Sequence, residues 1–127
     1  MSSKRKPKED SLQDIGQRAF ESIAEMVAKL DGDDAETVHQ EIQGDPLSVE
    51  VRSGWQSLGE TLTASEYCIL LGTGGPAVRI IGTLNAHNEP DSATLETQDW
   101  GTPWTEWRGE DDRNVLLTYA QQFYFVD

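Results

Sequence analysis

A chain of 127 residues, 36% hydrophobic and 26% charged, is one domain's worth of sequence, with surface enough to close a single modest core. One cysteine excludes a disulfide framework within the chain and fits a reducing compartment. Four of the ten basic residues (Lys4, Arg5, Lys6, Lys8) crowd the first eight positions, so residues 9–127 hold all 23 acids against six bases and carry −17; that field repels nucleic acid and anionic lipid and attracts basic protein surfaces.

Residues 1–9 are polar, charged and without apolar periodicity, the pattern of a disordered basic tail ahead of one domain over residues 10–127. Acidic Glu9 and Asp10 follow the basic cluster where a signal peptide would place an apolar core, and no apolar run approaches the roughly 18 residues of a membrane span. The chain therefore reads as cytoplasmic. From Ser11 the apolar residues Leu12, Ile15, Ala19, Ile23, Met26 and Leu30 recur at three- and four-residue spacing, predicting an amphipathic helix over residues 11–30 with Ser11 at its start. Asp31, Gly32, Asp33 and Asp34 stop that helix and cap a second over residues 34–43, with Ala35, Val38 and Ile42 inward; Gly44, Asp45 and Pro46 end it.

Beyond Pro46 the period shifts to two. Leu47, Val49 and Val51 alternate with Ser48, Glu50 and Arg52, predicting a strand with its apolar side buried and the other wet. Residues 54–64 form a polar connection, followed by two nearly continuous apolar strands, residues 66–72 and 77–84, joined by the hairpin link Thr73, Gly74, Gly75, Pro76. A second turn, residues 85–91, leads into a strand over residues 93–98. Asp111 then caps a last helix over residues 111–122, and the aromatic tail Phe123, Tyr124, Phe125 should dock on the sheet. The fold class is α+β: an N-terminal helical pair, a four-stranded and mainly antiparallel meander, and a C-terminal helix.

No sequence motif specifies catalysis. Gly72, Gly74 and Ala77 have dinucleotide-fingerprint spacing, but Pro76 removes a donor and Val78 to Ile81 continue as strand, so no helix N-terminus awaits a pyrophosphate. Asp31, Asp33 and Asp34 fail as a calcium loop because Ala35 and Glu36 stand where an oxygen ligand and a glycine are needed. One Cys with two separated His (His39, His87) furnishes no zinc set, and Cys68, which would need His87 as the sole candidate base in the β region, lies among Tyr67, Ile69 and Leu70 and reads as an unactivated thiol. Ser53 lacks the setting of a nucleophile elbow. The expectation is a protein that is not an enzyme and needs neither metal nor cofactor, with a hydrolase using Asp99 or Glu96 left as a remote third reading.

Two features suggest binding instead. Trp100, Trp104 and Trp107 fall within eight positions beside Arg108, in a segment punctuated by Gly101 and Pro103. Tryptophan and arginine dominate interface hot spots, yet tryptophan is equally a plug for the end of a sheet, and both readings stand. Arg79, on an apolar strand, needs an acid such as Asp99 or Glu96. The helical acids, with Glu21, Glu25, Asp33, Asp34, Glu36 and Glu41 the partner-binding candidates, form either a solvated face or carboxylates spaced roughly 5 to 7 Å apart that imitate phosphates along a DNA strand.

The runs LSVEVRSGW (Leu47 to Trp55), EYCILLGTGGPAVRIIGTL (Glu66 to Leu84) and TQDWGTPWTEW (Thr97 to Trp107) resemble a family of small, acidic, uncharacterised proteins of bacteriophages, prophages and other mobile elements, over residues 45–127. The resemblance carries no active site; it implies a setting in which such proteins block host defences, as anti-CRISPR and antirestriction proteins do. The leading expectation is thus a non-enzymatic inhibitor or adaptor binding a basic surface on a host protein, with no direct nucleic-acid or membrane contact, as a monomer or weak homodimer. The alternative is a small-molecule or peptide-binding module with a pocket lined by Trp100, Trp104 and Arg79.

Overall fold

The computed structural model describes residues 7–73 and 76–125. The first helix, α1, spans Pro7–Ala28 and runs into a 3-10 turn, Lys29–Asp31; α2 spans Ala35–Gly44. Helix α1 therefore starts four residues before the predicted Ser11, with Pro7 at the position where a missing N–H costs no helical bond. Residues 7–9 are thus helical, while residues 1–6 of the expected tail lie outside the described residues. Asp34 holds the N-cap position of α2 without a side-chain capping bond; it contributes only its carbonyl, which accepts from the Val38 N–H at 3.0 Å.

The strands are β1 Ser48–Ser53, β2 Ala64–Gly72, β3 Ala77–Thr83, β4 Thr94–Gln98 and β5 Thr105–Glu106. They form one antiparallel sheet in the order β1-β2-β3-β4-β5. The meander is as expected but has five strands. The addition is β5, two residues inside the tryptophan segment, too short to show a period; it pairs Glu106 with Glu96 and Thr105 with Thr97, and the Trp107 N–H extends the ladder to the Leu95 carbonyl at 2.8 Å. The β2–β3 hairpin is present, with positions 74 and 75 of its link outside the described residues. The following turn contains Asn88 in the left-handed region at φ 60°, a conformation asparagine tolerates well. The last helix, α3, is shorter than expected, Val115–Ala120. Asn114, left-handed at φ 53°, precedes it, and Asp111 caps from four residues upstream, accepting the Val115 and Leu116 N–H groups at 2.7 and 3.0 Å.

Register decides the two faces. Val49, Ile69, Ile80 and Leu95 lie in one row across β1 to β4, and residues directly opposite share a face. Ile69 and Ile80 are fully buried and Leu95 is 1% exposed; each such side chain contributes about 1.5–3 kcal/mol. They pack with Tyr67 against Ile23 of α1, Val38 and Ile42 of α2, and Leu116, Tyr119 and Ala120 of α3. Helix α1 lies over β4 and against α3, fixed by the Thr97 hydroxyl, which donates to the Leu12 carbonyl at 3.2 Å. Phe125 docks on Tyr67 with ring centroids 5.1 Å apart and Phe123 on Tyr119 at 5.6 Å, but Tyr124 points to solvent. The opposite face carries Glu50, Arg52, Glu66, Cys68, Leu70, Arg79, Ile81 and Glu96.

The alternation in β1 predicts a buried apolar side, and there the structure differs. Val49 and Val51 do face the core side, opposite Ile69 and Tyr67, yet Leu47, Val49 and Val51 are 61%, 39% and 45% exposed. The strand lies at the sheet edge, and the longest helix, α1, packs on the other end, over β4.

Candidate functional site

The three clustered tryptophans take three different places. Trp107 is the plug: it is 6% exposed, and its ring stacks on Phe20 of α1 with centroids 4.6 Å apart and planes 23° off parallel. A hydrogen-bond clamp holds it there, since Gln13 of α1 donates to the Glu106 carbonyl at 3.0 Å and accepts from the Arg108 N–H at 2.9 Å. Burial removes Trp107 from the surface anchors. The Arg108 side chain stays exposed beside α1. Trp100 is 76% exposed on a turn in which Gly101 adopts φ 77°. The turn is tied by the Thr102 N–H to the Asp99 carbonyl and by the Trp100 N–H to the Asp99 carboxylate, at 3.0 and 2.7 Å.

Trp104 sits across the sheet from Trp107. Its ring lies under the Arg79 guanidinium, 4.1 Å from carbon to centroid, and Arg79 directs Nε and Nη2 onto one oxygen of Glu96, both at 2.7 Å. The arginine thus finds Glu96, its directly opposite neighbour on β4, and not Asp99. With side chains 26% and 17% exposed, this is a partly desolvated ion pair on an aromatic plate, an arrangement that holds Arg79 in place. A cavity of about 340 Å³ opens on the same face, lined by Glu50, Arg52, Glu66, Cys68, Arg79 and Ile81 among others. It shares Arg79 with the expected pocket, but Trp100 and Trp104 do not line it. Within it the Arg52 guanidinium donates to Glu66 at 2.9 Å, which holds the Glu66 carboxyl below the usual carboxylate range. Cys68 is half-buried, and burial, opposed by the Arg79 charge, pushes its thiol up. A thiol kept protonated is a poor nucleophile.

The helical acids Glu21, Glu25, Asp33, Asp34, Glu36 and Glu41 are all exposed. Glu21 and Glu25 stand one turn apart on α1 and present a common face; Asp33 and Asp34 occupy the link to α2, and Glu36 lies in the first turn of α2, where the helix dipole favours it. Among the described residues, the two ion pairs, Arg52–Glu66 and Arg79–Glu96, are both on the sheet. The acids and the Arg79–Trp104 pair lie on opposite sides of the sheet, so one flat partner surface does not meet both. Among the described residues no group of three His, Cys, Asp or Glu side chains could hold a metal ion, and no helix is long and apolar enough to cross a membrane.

Sequence reasoning missed a second exposed apolar set: beside Leu47, Val49 and Val51, the β1–β2 connection exposes Trp55 and Leu58 fully and Leu62 at 73%. The available signal was topological, because a strand that opens a meander after two helices stands at its edge. No protein-family model, no curated protein and no solved structure matches the chain.

Proposed function

We propose that this protein is a non-enzymatic binding protein whose helical acidic layer docks on a basic surface of a partner protein. The observation that carries the reading is the exposure of Glu21, Glu25, Asp33, Asp34, Glu36 and Glu41 on the helical layer, away from the described ion pairs. Carboxylates that stand outside the described ion pairs sum into a negative field that speeds encounter with a basic patch and weakens as salt is added. Basic clefts that ordinarily hold a nucleic-acid backbone are the partners such a layer fits. The resemblance of residues 45–127 to proteins of mobile elements directs the search to host nucleic-acid-processing and defence enzymes.

The test is capture from a bacterial lysate with the tagged full chain, at low and moderate salt, with and without competitor duplex DNA. A nucleic-acid enzyme displaced by the DNA supports the reading. Changing Glu21, Glu25, Asp33 and Asp34 together to Gln or Asn should then lower its association rate about tenfold at low salt and flatten the salt dependence; an unchanged rate refutes steering by these acids. A second reading, a small-ligand site, is favoured by the cavity beside Arg79 and Cys68. It requires ligand-dependent thermal stabilisation that the acid replacements leave intact.

A further inference from the structure

Among the described residues β1 pairs with β2 on one side only, so its other side presents a row of backbone donors and acceptors. Natural edges of this kind are blunted by like charges, proline or bulges. Here proline is absent from Ser48 to Ser53, and the register shift near Arg52 and Ser53 places the extra residue on β2, leaving β1 regular. The side chains are also unprotective: Leu47, Val49 and Val51 are exposed on one face, and the two charges on the other, Glu50 and Arg52, are of opposite sign.

We infer that β1 is a self-complementary edge, along which two copies of this chain join antiparallel about a two-fold axis at Val51 to form one continuous ten-stranded sheet. That register sets Val51 against its own copy and Glu50 against Arg52 of the second copy, twice per dimer. Continued outward, it brings Leu47 opposite Trp55, both exposed in the single chain. Other registers fail on simple grounds. An axis at Glu50 or at Arg52 sets like charges against each other, which is destabilising. An axis at Val49 sets Arg52 against Pro46 and leaves Glu50 facing Ser48. A shift by one residue puts Glu50 on the face of the valines. Arg52 suits the bridging role: its side chain is 77% exposed although it already donates to Glu66 from Nη2, and a guanidinium has donors to spare for a second carboxylate. Glu66, Arg52 and the second copy's Glu50 then form an acid–base–acid row across three strands.

Nine paired residues span about 30 Å. Edge pairing of that length, without a second layer of contact, falls short of the roughly 800 Å² per partner of a standard interface. The association is therefore weak and dependent on concentration, and the −13 charge of each chain opposes it at low salt. Self-association strengthens as moderate salt screens that repulsion, whereas docking of the acidic helices on a basic protein weakens, so the two proposals stand or fall separately.

The test is sedimentation equilibrium of the full chain over rising concentration at moderate salt. The expected mass climbs from the 14.1 kDa of one chain toward twice that value. Glu50→Lys and Arg52→Glu each replace two unlike pairs by two like pairs and should weaken association by roughly tenfold or more, with the circular dichroism spectrum unchanged. Mixed in equal amounts, the two variants should recover the dimer: the introduced lysine meets the introduced glutamate, and the native Arg52 of one meets the native Glu50 of the other. Val51→Lys, which sets two lysines together at the axis, supplies a further monomeric variant if Arg52→Glu unfolds for lack of its Glu66 bond. A chain that stays monomeric at every concentration and salt, single variants that dimerise as well as the parent, or folded variants that do not recover on mixing would each overturn the inference.

Discussion

Replacing Gly16 with alanine tests the position of Trp107 through a conflict of signs. In the middle of α1 glycine costs about 1 kcal/mol relative to alanine, so helix propensity alone makes Gly16→Ala stabilising. The structure opposes this. A Cβ at Gly16 would stand 2.7 Å from Trp107 Cδ1 and 3.0 Å from both Cβ and Cγ. The indole has no room to withdraw, because Phe20 stacks on it, the Trp107 backbone N–H is bound to the Leu95 carbonyl and fixes the residue in place, and the far edge of the ring lies so close to Gly109 that a Cβ there would come within 2.0 Å of Cζ2. Overpacking of this kind costs about 1–3 kcal/mol. Set against the propensity gain, the net loss is about 1 kcal/mol, or about 4 °C in Tm for a chain of this size. Trp107→Ala costs about 3–5 kcal/mol alone, but it removes Cδ1 and Cγ, so in that background Gly16→Ala should turn stabilising by nearly 1 kcal/mol. Urea unfolding followed by far-ultraviolet circular dichroism reads all four corners of the cycle without relying on tryptophan emission. A Gly16→Ala protein more stable than the parent would refute the close packing of Trp107 on α1.

Further outcomes follow from the other sites. Trp100→Ala should change stability by no more than about 0.5 kcal/mol while removing a component of emission open to acrylamide quenching; Trp107→Phe should remove a protected, blue-shifted one, and equal quenching of both would contradict their placement. Asp111→Ala strips two N–H acceptors from the start of the six-residue α3 and should cost about 1–2 kcal/mol in urea unfolding; a neutral result would mean that the cap is not formed. Burial pushes the Tyr67 and Tyr119 hydroxyls above their ordinary range, Tyr119 with the help of the bond it donates to Asp45 at 2.6 Å. The unfolded chain ionises these groups near pH 10 while the folded chain keeps the protons, so their contribution is complete below pH 10 and is lost as pH rises above it. Stability measured from pH 9 to 11.5 should fall, less steeply for Tyr119→Phe; a flat parent profile would contradict the burial.

Much of this architecture is legible locally. The change of apolar period at Pro46 separates helices from sheet because a helix returns to one face every three or four residues and a strand every two. Helix ends are less legible: α1 begins at Pro7, since nothing between it and Ser11 breaks a helix, and α3 waits for Val115 because Asn114 is left-handed. The two residues of β5 carry no period at all and exist because Trp107 is anchored between β4 and α1.

The site divides along the same line. Exposure of Glu21, Glu25, Asp33, Asp34, Glu36 and Glu41 follows from sequence alone, since a carboxylate off the apolar stripe has no reason to leave water. The fates of the tryptophans do not follow, because Trp100, Trp104 and Trp107 are chemically alike and only β5 register sends Trp104 to Arg79 and Trp107 to Phe20. Likewise the alternation of Leu47, Val49 and Val51 determines that β1 is a strand with an apolar face, but whether that face is covered depends on what packs above it. Helix α1 lies over β4 at the far end of the sheet, and it is this placement of one layer over another, a long-range property absent from any local pattern, that leaves the apolar face of β1 exposed.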